Sequence, residues 1–133
     1  MISFSSNKIK IARAALHHWE EPCISGDVGS GTVFFSYCNL QCIYCQNYEI
    51  SHQDKGTVIS YEKLAELFYE LERKGAHNIN LVTPTMYVLQ IIEAIKIAKK
   101  TDKIIKQNLV LIHYVTIKSS SINGTIFLCY NTF

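Results

Sequence analysis

Apolar residues recur with a helical period in two segments of the chain, residues 60–75 and 86–100. The first stripe consists of Leu64, Leu67, Phe68 and Leu71, and the second of Val88, Ile91, Ile92 and Ile95. This spacing of i, i+3, i+4 and i+7 predicts two helices, each with one apolar face. Ser60 is placed to cap the start of the first helix and Gly75 to end it. Each helix must therefore pack against another layer of the protein.

Three apolar runs rich in β-branched or aromatic residues have no helical period and predict strands. They are residues 32–37, 78–83 and 109–117. With the two helices they give the order β-α-β-α-β, which favours parallel pairing through crossover connections. In such a sheet the functional site lies at the carboxyl ends of the strands.

The segments outside this pattern receive simpler interpretations. Residues 10–19, "KIARAALHHW", predict a short helix, and residues 20–31 predict a loop rich in Gly. Residues 46–59 are polar and turn-rich. The part from Lys103 onward contains no Asp or Glu and shows no helical stripe, so it predicts one further strand or poor order. No internal repeat or low-complexity linker divides the chain.

Composition indicates one folded domain that does not bind nucleic acid. The chain has 133 residues, of which 48% are hydrophobic and 18% charged, and its formal charge is only +2. Basic residues do not alternate with aromatic residues, as a nucleic-acid groove would require. Neither a signal peptide nor a long apolar window is present, so we expect a cytoplasmic protein without a membrane span.

Three of the five cysteines lie close together in "SYCNLQCIYCQN", directly after the first predicted strand. In a reducing compartment such cysteines hold metal or perform redox chemistry more often than they form disulfides. Cys38, Cys42 and Cys45 can each bind a different iron of a [4Fe-4S] cluster and leave the fourth iron open. The alternative is a zinc- or iron-sulfur-binding module without catalysis of its own, in which His52 would be the fourth ligand of a zinc ion. Cys23 and Cys129 are interpreted as small buried hydrophobic residues.

The spacing Cys38-x3-Cys42-x2-Cys45, with Tyr44 before the last cysteine, resembles the signature of the radical S-adenosylmethionine (radical SAM) enzymes. The longer run of residues 19–51, followed by "NINLVTPT", is similar to the branch of pyruvate formate-lyase-activating-enzyme-like proteins. This resemblance covers roughly residues 10–100.

The resemblance implies a fold, cofactors and partners. The fold is an α/β partial (β/α) barrel, and the three cysteines bind a [4Fe-4S] cluster whose unique iron binds SAM. Reductive cleavage of SAM then gives a 5'-deoxyadenosyl radical that abstracts hydrogen from the substrate. That substrate is a glycyl radical protein in the branch resembled, and the electron donor is a flavodoxin or ferredoxin.

The resemblance also implies four SAM contacts. Tyr44 is expected near the adenine, and Gln46 near the adenosyl part of SAM. Many members of the superfamily have a Gly-Gly-Glu-type segment where this chain has "TPT", so Thr83 and Thr85 are assigned to the SAM amino group. Met86 stands where the branch is expected to have a His.

The chain accounts for only the first half of the family's barrel, which predicts a single but incomplete, truncated domain. Its predicted parts are an N-terminal helix and loop (1–31), the first βα units with the cysteine loop (32–105) and a divergent tail (106–133). Because an open barrel leaves strand edges and helix faces uncovered, we expect this chain alone to hold a cluster poorly and to turn over weakly.

Overall fold

The computed structural model describes residues 8–18, 26–100 and 108–111 of the chain. Its elements are β1 (Lys8–His17), β2 (Ser30–Phe35), α1 (Tyr48–His52), β3 (Thr57–Ser60), α2 (Tyr61–Arg73), β4 (Asn78–Val82), a 3-10 turn (Pro84–Tyr87), α3 (Val88–Lys100) and β5 (Asn108–Leu111). The strands form one sheet in the order β3-β1-β2-β4-β5. Within these ranges no helix is long and apolar enough to cross a membrane.

The predicted β-α-β-α-β pattern corresponds to β2, α2, β4, α3 and β5. Strands β2 and β4 pair in parallel, as do β4 and β5. Strand β5 begins at Asn108, within one residue of its prediction, while the rest of the predicted strand 109–117 lies outside the described residues. The parallel half of the sheet is therefore confirmed where it is described.

The predicted helix at residues 10–19 is wrong, because Lys8–His17 form strand β1. This strand pairs antiparallel with β2 on one side and with β3 on the other. Local helix propensity is a weak prior that tertiary pairing overrides. Here the strand satisfies its backbone on both sides and buries Ile9 and Ile11 in the core, with exposed fractions of 0% and 7%.

Residues 46–59 contain two elements where only turns were expected, the short helix α1 and strand β3. Strand β3 pairs only with β1 among the described strands and stands at the edge of the sheet. Its partner is distant in sequence, so no local pattern of these residues indicates it.

Both amphipathic helices contribute to one core with the sheet. The predicted residues that are fully buried are Leu64, Phe68, Leu71, Ile91 and Ile95. Leu67, Val88 and Ile92 are only half-buried, whereas Ala94 and Ala98 complete the buried face of α3. The hydroxyl oxygen of Ser60 accepts a hydrogen bond from the Lys63 amide at 3.4 Å, so the predicted N-cap is confirmed. Gly75 follows α2 with a φ of 82°, as expected of a residue that ends a helix.

Tyr87 links this core to the end of β2. Its ring is 1% exposed and its centroid lies 5.5 Å from that of Phe35. The Tyr87 hydroxyl donates a hydrogen bond to the Ser36 carbonyl oxygen at 3.1 Å. Burial disfavours the phenolate and raises the pKa of Tyr87 from 10.0 to about 12.

This shift predicts a loss of stability at alkaline pH. Well below pH 10 the phenol is neutral in both states and stability is complete; between pH 10 and about 12 the unfolded chain ionises more than the folded one, so stability falls. We expect Tyr87 to contribute roughly 2–3 kcal/mol to this fall. Urea unfolding at several pH values should therefore show a shallower alkaline decline for Tyr87→Phe than for the native chain. Equal declines in the two proteins would contradict the assignment.

Candidate metal centre

The three clustered cysteines lie on a loop that leaves the carboxyl end of β2. Because Phe34 of β2 pairs with Val82 of β4 in parallel register, Thr83 emerges at the same edge of the sheet. Cys38, Cys42, Cys45 and Thr83 all line one pocket of about 480 Å³, part of which is open to solvent. The structure thus brings together the three predicted metal ligands and one of the predicted SAM contacts.

Helix α1 folds back onto the start of the cysteine loop and closes it. The Tyr37 amide donates to the Ile50 carbonyl oxygen at 3.0 Å, and the Cys38 amide donates to the Ser51 carbonyl oxygen at 3.2 Å. At the other end, the Tyr48 amide donates to the Cys45 carbonyl oxygen at 3.2 Å. Both ends of the three-cysteine segment are therefore tied to the same short helix.

Two residues of the loop have backbone angles in the left-handed region and turn the chain sharply. Tyr37 has a φ of 68° and Gln41 a φ of 50°, which is uncommon for residues other than glycine. The Gln41 side chain stabilises its turn by donating from Nε2 to the Cys38 carbonyl oxygen at 2.8 Å. These turns allow Cys38 and Cys42 to line the same pocket.

An ion pair lies beside the loop. Lys10 of β1 is only 9% exposed, and its ammonium donates to the carboxylate of Asp54, which also accepts from the Tyr37 hydroxyl. The hydrogen bond with Asp54 raises the pKa of Lys10, and the bonds from Lys10 and Tyr37 lower the pKa of Asp54. Both groups therefore remain charged over the neutral range, and they fix Tyr37 next to the first cysteine.

Gly56 allows the chain to pass close to β1 and to the start of the cysteine loop. Its φ is 120°, and an added Cβ would lie 2.5 Å from Ser36 Oγ and 2.6 Å from the Ile11 carbonyl oxygen. No other residue fits this position without displacing the backbone of β1.

The chemistry of the pocket suits soft metals. Cys38 and Cys45 are half-buried and Cys42 is exposed, so all three sulfurs are available as ligands. The described lining contains no Asp, Glu, Lys or Arg, and its apolar part consists of Phe35, Leu40, Ile50 and Val82. Three thiols without carboxylates are a donor set for iron-sulfur clusters or zinc and not for magnesium or calcium.

The three thiols line one pocket without forming a preformed metal site. Among the described residues no group of three or more His, Cys, Asp or Glu side chains is placed to hold a metal ion. Zinc binds thiolates that converge on one point, and a cubane cluster binds one thiolate at each of several irons. The donor set fits a cluster, and the ligand roles of the three cysteines stay predictions.

The other predicted SAM contacts lie outside the lining of this pocket. Tyr44 is 94% exposed at the tip of the loop, and Gln46 is also exposed. Thr85 is half-buried in the 3-10 turn beyond Thr83. Cys23 and Cys129 fall outside the described residues. The roles of Tyr44, Gln46 and Thr85 therefore remain predictions.

The structure gives several residues around the loop contacts that were not predicted from the sequence. His52, considered there only as a zinc ligand, lines the pocket and stacks on Tyr48 with centroids 4.2 Å apart. Ser51 places its hydroxyl 3.3 Å from the Cys45 sulfur. Neither Ser51 nor the Lys10–Asp54 pair belongs to a local motif, because each acts through a contact that only the fold creates.

Comparison with known proteins identifies the family. The sequence model of the Radical SAM superfamily matches residues 32–122. These residues begin in β2 and include the cysteine loop, both long helices and β5. The match includes residues 106–122, the first part of the segment expected to be a divergent tail. No curated protein and no solved structure matches the chain significantly. Since the matched range covers more than half of the sequence and contains the three-cysteine loop, the chain belongs to the Radical SAM superfamily.

Proposed function

We propose that this chain is a [4Fe-4S]-dependent radical SAM enzyme, or part of one. Cys38, Cys42 and Cys45 bind three irons, and the fourth iron is left for SAM. The observation that carries the proposal is that all three thiols line one pocket with Thr83, at the carboxyl ends of two parallel strands.

When bound, a [4Fe-4S] cluster held by Cys38, Cys42 and Cys45 would supply the one-electron reduction of SAM from which a radical for hydrogen abstraction arises. The chain's own residues bind and orient. The cysteine thiolates hold the iron, and the Thr83 hydroxyl offers a hydrogen-bonding group on the β4 side of the pocket. Ile50 and Val82 add apolar surface to the lining of the pocket, which favours the exclusion of water.

The proposal extends to a partner. The sequence resemblance of residues 19–51 to activating enzymes supports a glycyl radical protein as the hydrogen donor, with a flavodoxin or ferredoxin as the electron source. The exposed tip of the cysteine loop, where Ile43 and Tyr44 are 89% and 94% exposed, is accessible to such proteins.

A zinc-binding module is the second candidate, because His52 lines the same pocket as the three thiols. The cluster is favoured over zinc because the chain belongs to the Radical SAM superfamily. The contact of His52 Nδ1 with Ser51 Oγ at 2.7 Å leaves Nε2 as the nitrogen that would bind zinc.

We expect each of Cys38→Ser, Cys42→Ser and Cys45→Ser to abolish cluster assembly, because a hydroxyl replaces one of three thiolate ligands. Anaerobic reconstitution with iron and sulfide, followed by iron and acid-labile sulfide analysis, measures the effect. Cys129→Ser, outside the motif, is the matched control and should retain the cluster.

His52→Ala separates the two candidates in the same assay. The cluster requires only the three cysteines, so the variant should keep its iron and sulfide. Colourless native protein that contains one zinc, and loses it in His52→Ala, would reject the cluster in favour of the module.

We expect Thr83→Val to weaken SAM binding about 2–10-fold, the effect of losing one hydrogen bond of ordinary strength. Valine keeps the shape of threonine and removes only the hydroxyl. Titration of SAM into the reduced, reconstituted protein, followed by electron paramagnetic resonance, measures the dissociation constant. Thr57→Val is the matched control, because Thr57 is exposed in β3 and does not line the pocket, and an equal or larger effect there would contradict the role of Thr83.

A further inference from the structure

Ser51 is a buried polar residue that contacts the first and the last cysteine of the loop. It lies in α1 with an exposed fraction of 6%, whereas the thiols around it are half-buried or exposed. Its carbonyl oxygen accepts from the Cys38 amide at 3.2 Å, and its hydroxyl lies 3.3 Å from the Cys45 sulfur. The backbone of Ser51 therefore helps to close the loop, while its side chain makes a separate set of contacts.

The Ser51 hydroxyl has three polar neighbours and one proton to donate. They are Cys45 Sγ at 3.3 Å, the Tyr48 carbonyl oxygen at 3.4 Å and His52 Nδ1 at 2.7 Å. A metal-bound thiolate carries no proton and can only accept. Once Cys45 is a ligand, a bond between Ser51 and its sulfur therefore requires the serine to be the donor.

The donor in the contact between Ser51 and His52 then follows from the direction of the Ser51 proton. If the Ser51 proton points to sulfur, the short contact with His52 is a hydrogen bond only when His52 Nδ1 carries the proton and donates to Ser51 Oγ. With the Ser51 proton directed to sulfur, these groups form a relay from the His52 ring through Ser51 Oγ to Cys45 Sγ. Stacking on Tyr48, with the rings inclined by only 17°, holds the imidazole in position for this relay.

We propose that Ser51 is a positioning residue that raises the reduction potential of the cluster by donating a hydrogen bond to the Cys45 thiolate. This inference rests on the proposed function, since it requires a cluster at the three cysteines. Hydrogen bonds to cluster sulfurs and burial are among the protein's means of setting cluster potentials. The one electron that the cluster accepts increases the negative charge on its sulfurs, so the donor stabilises the reduced form more than the oxidised form. Burial strengthens the effect by keeping competing water away from the hydroxyl.

The test is the midpoint potential of the reconstituted full chain, measured by anaerobic titration with dithionite and electron paramagnetic resonance. Ser51→Ala should shift the potential to more negative values and leave a smaller reduced fraction at a fixed dithionite excess. Its iron and sulfide content should equal that of the native protein, because no ligand is removed. Ser51→Thr, which keeps the hydroxyl, should restore the native potential.

Two further variants make the test specific. Tyr48→Phe retains the ring that stacks on His52 and removes only the hydroxyl of a side chain that is 51% exposed, so it should leave the potential unchanged. His52→Ala removes the donor that orients the Ser51 proton and should shift the potential in the same direction as Ser51→Ala. It also keeps the inference testable if Ser51→Ala fails to fold.

The outcomes separate this inference from the proposed function. A native protein that assembles no cluster overturns the proposed function and the inference with it. Cluster-loaded Ser51→Ala with the native potential overturns only the role of Ser51, as does a shift of equal size in Tyr48→Phe. A negative shift confined to Ser51→Ala and His52→Ala supports the relay.

Discussion

Two backbone hydrogen bonds determine the geometry of the candidate site, those that the Tyr37 and Cys38 amides donate to carbonyl oxygens of α1. Without them the three cysteines would belong to a long connection between β2 and β3 with no fixed shape. Fixing the ends of this connection costs conformational entropy. The hydrogen bonds between helix α1 and the chain that follows β2 compensate for part of that cost. The three thiols then line one pocket.

The same region shows how the antiparallel edge of the sheet serves the site. Strand β1 carries Lys10, whose part-buried ammonium is paired with the exposed carboxylate of Asp54 and lies over the Tyr37 ring, 5.5 Å from its centroid. A buried charge is tolerated only when it is paired, so Lys10 holds Asp54 and the chain around it close to the sheet. Gly56 then leads directly into β3, which pairs with the same strand. The N-terminal strand therefore supports the cysteine loop from the side opposite the parallel strands.

Local patterns predicted the elements whose cause is local. The stripe through Leu64, Phe68 and Leu71 gave a correct helix with its Ser60 cap, and the apolar run at 78–83 gave β4. Strand β1 was misjudged because Ala-rich sequence favours a helix in isolation, whereas its partners in the sheet are supplied by distant segments. The spacing of the cysteines indicated the metal chemistry, but the Ser51 and Lys10 contacts arise only from the fold. Sequence reasoning could not reach them.

The order of strands has a practical consequence for anyone who trims this protein. The family match begins at residue 32, so a boundary drawn from it would remove β1 and the first two residues of β2. Strand β3 would then lose its only described neighbour in the sheet, and Asp54 would lose its cation. A fragment cut there would retain every cysteine of the motif yet lack the scaffold that shapes it, and a colourless preparation of such a fragment would say nothing about the intact chain.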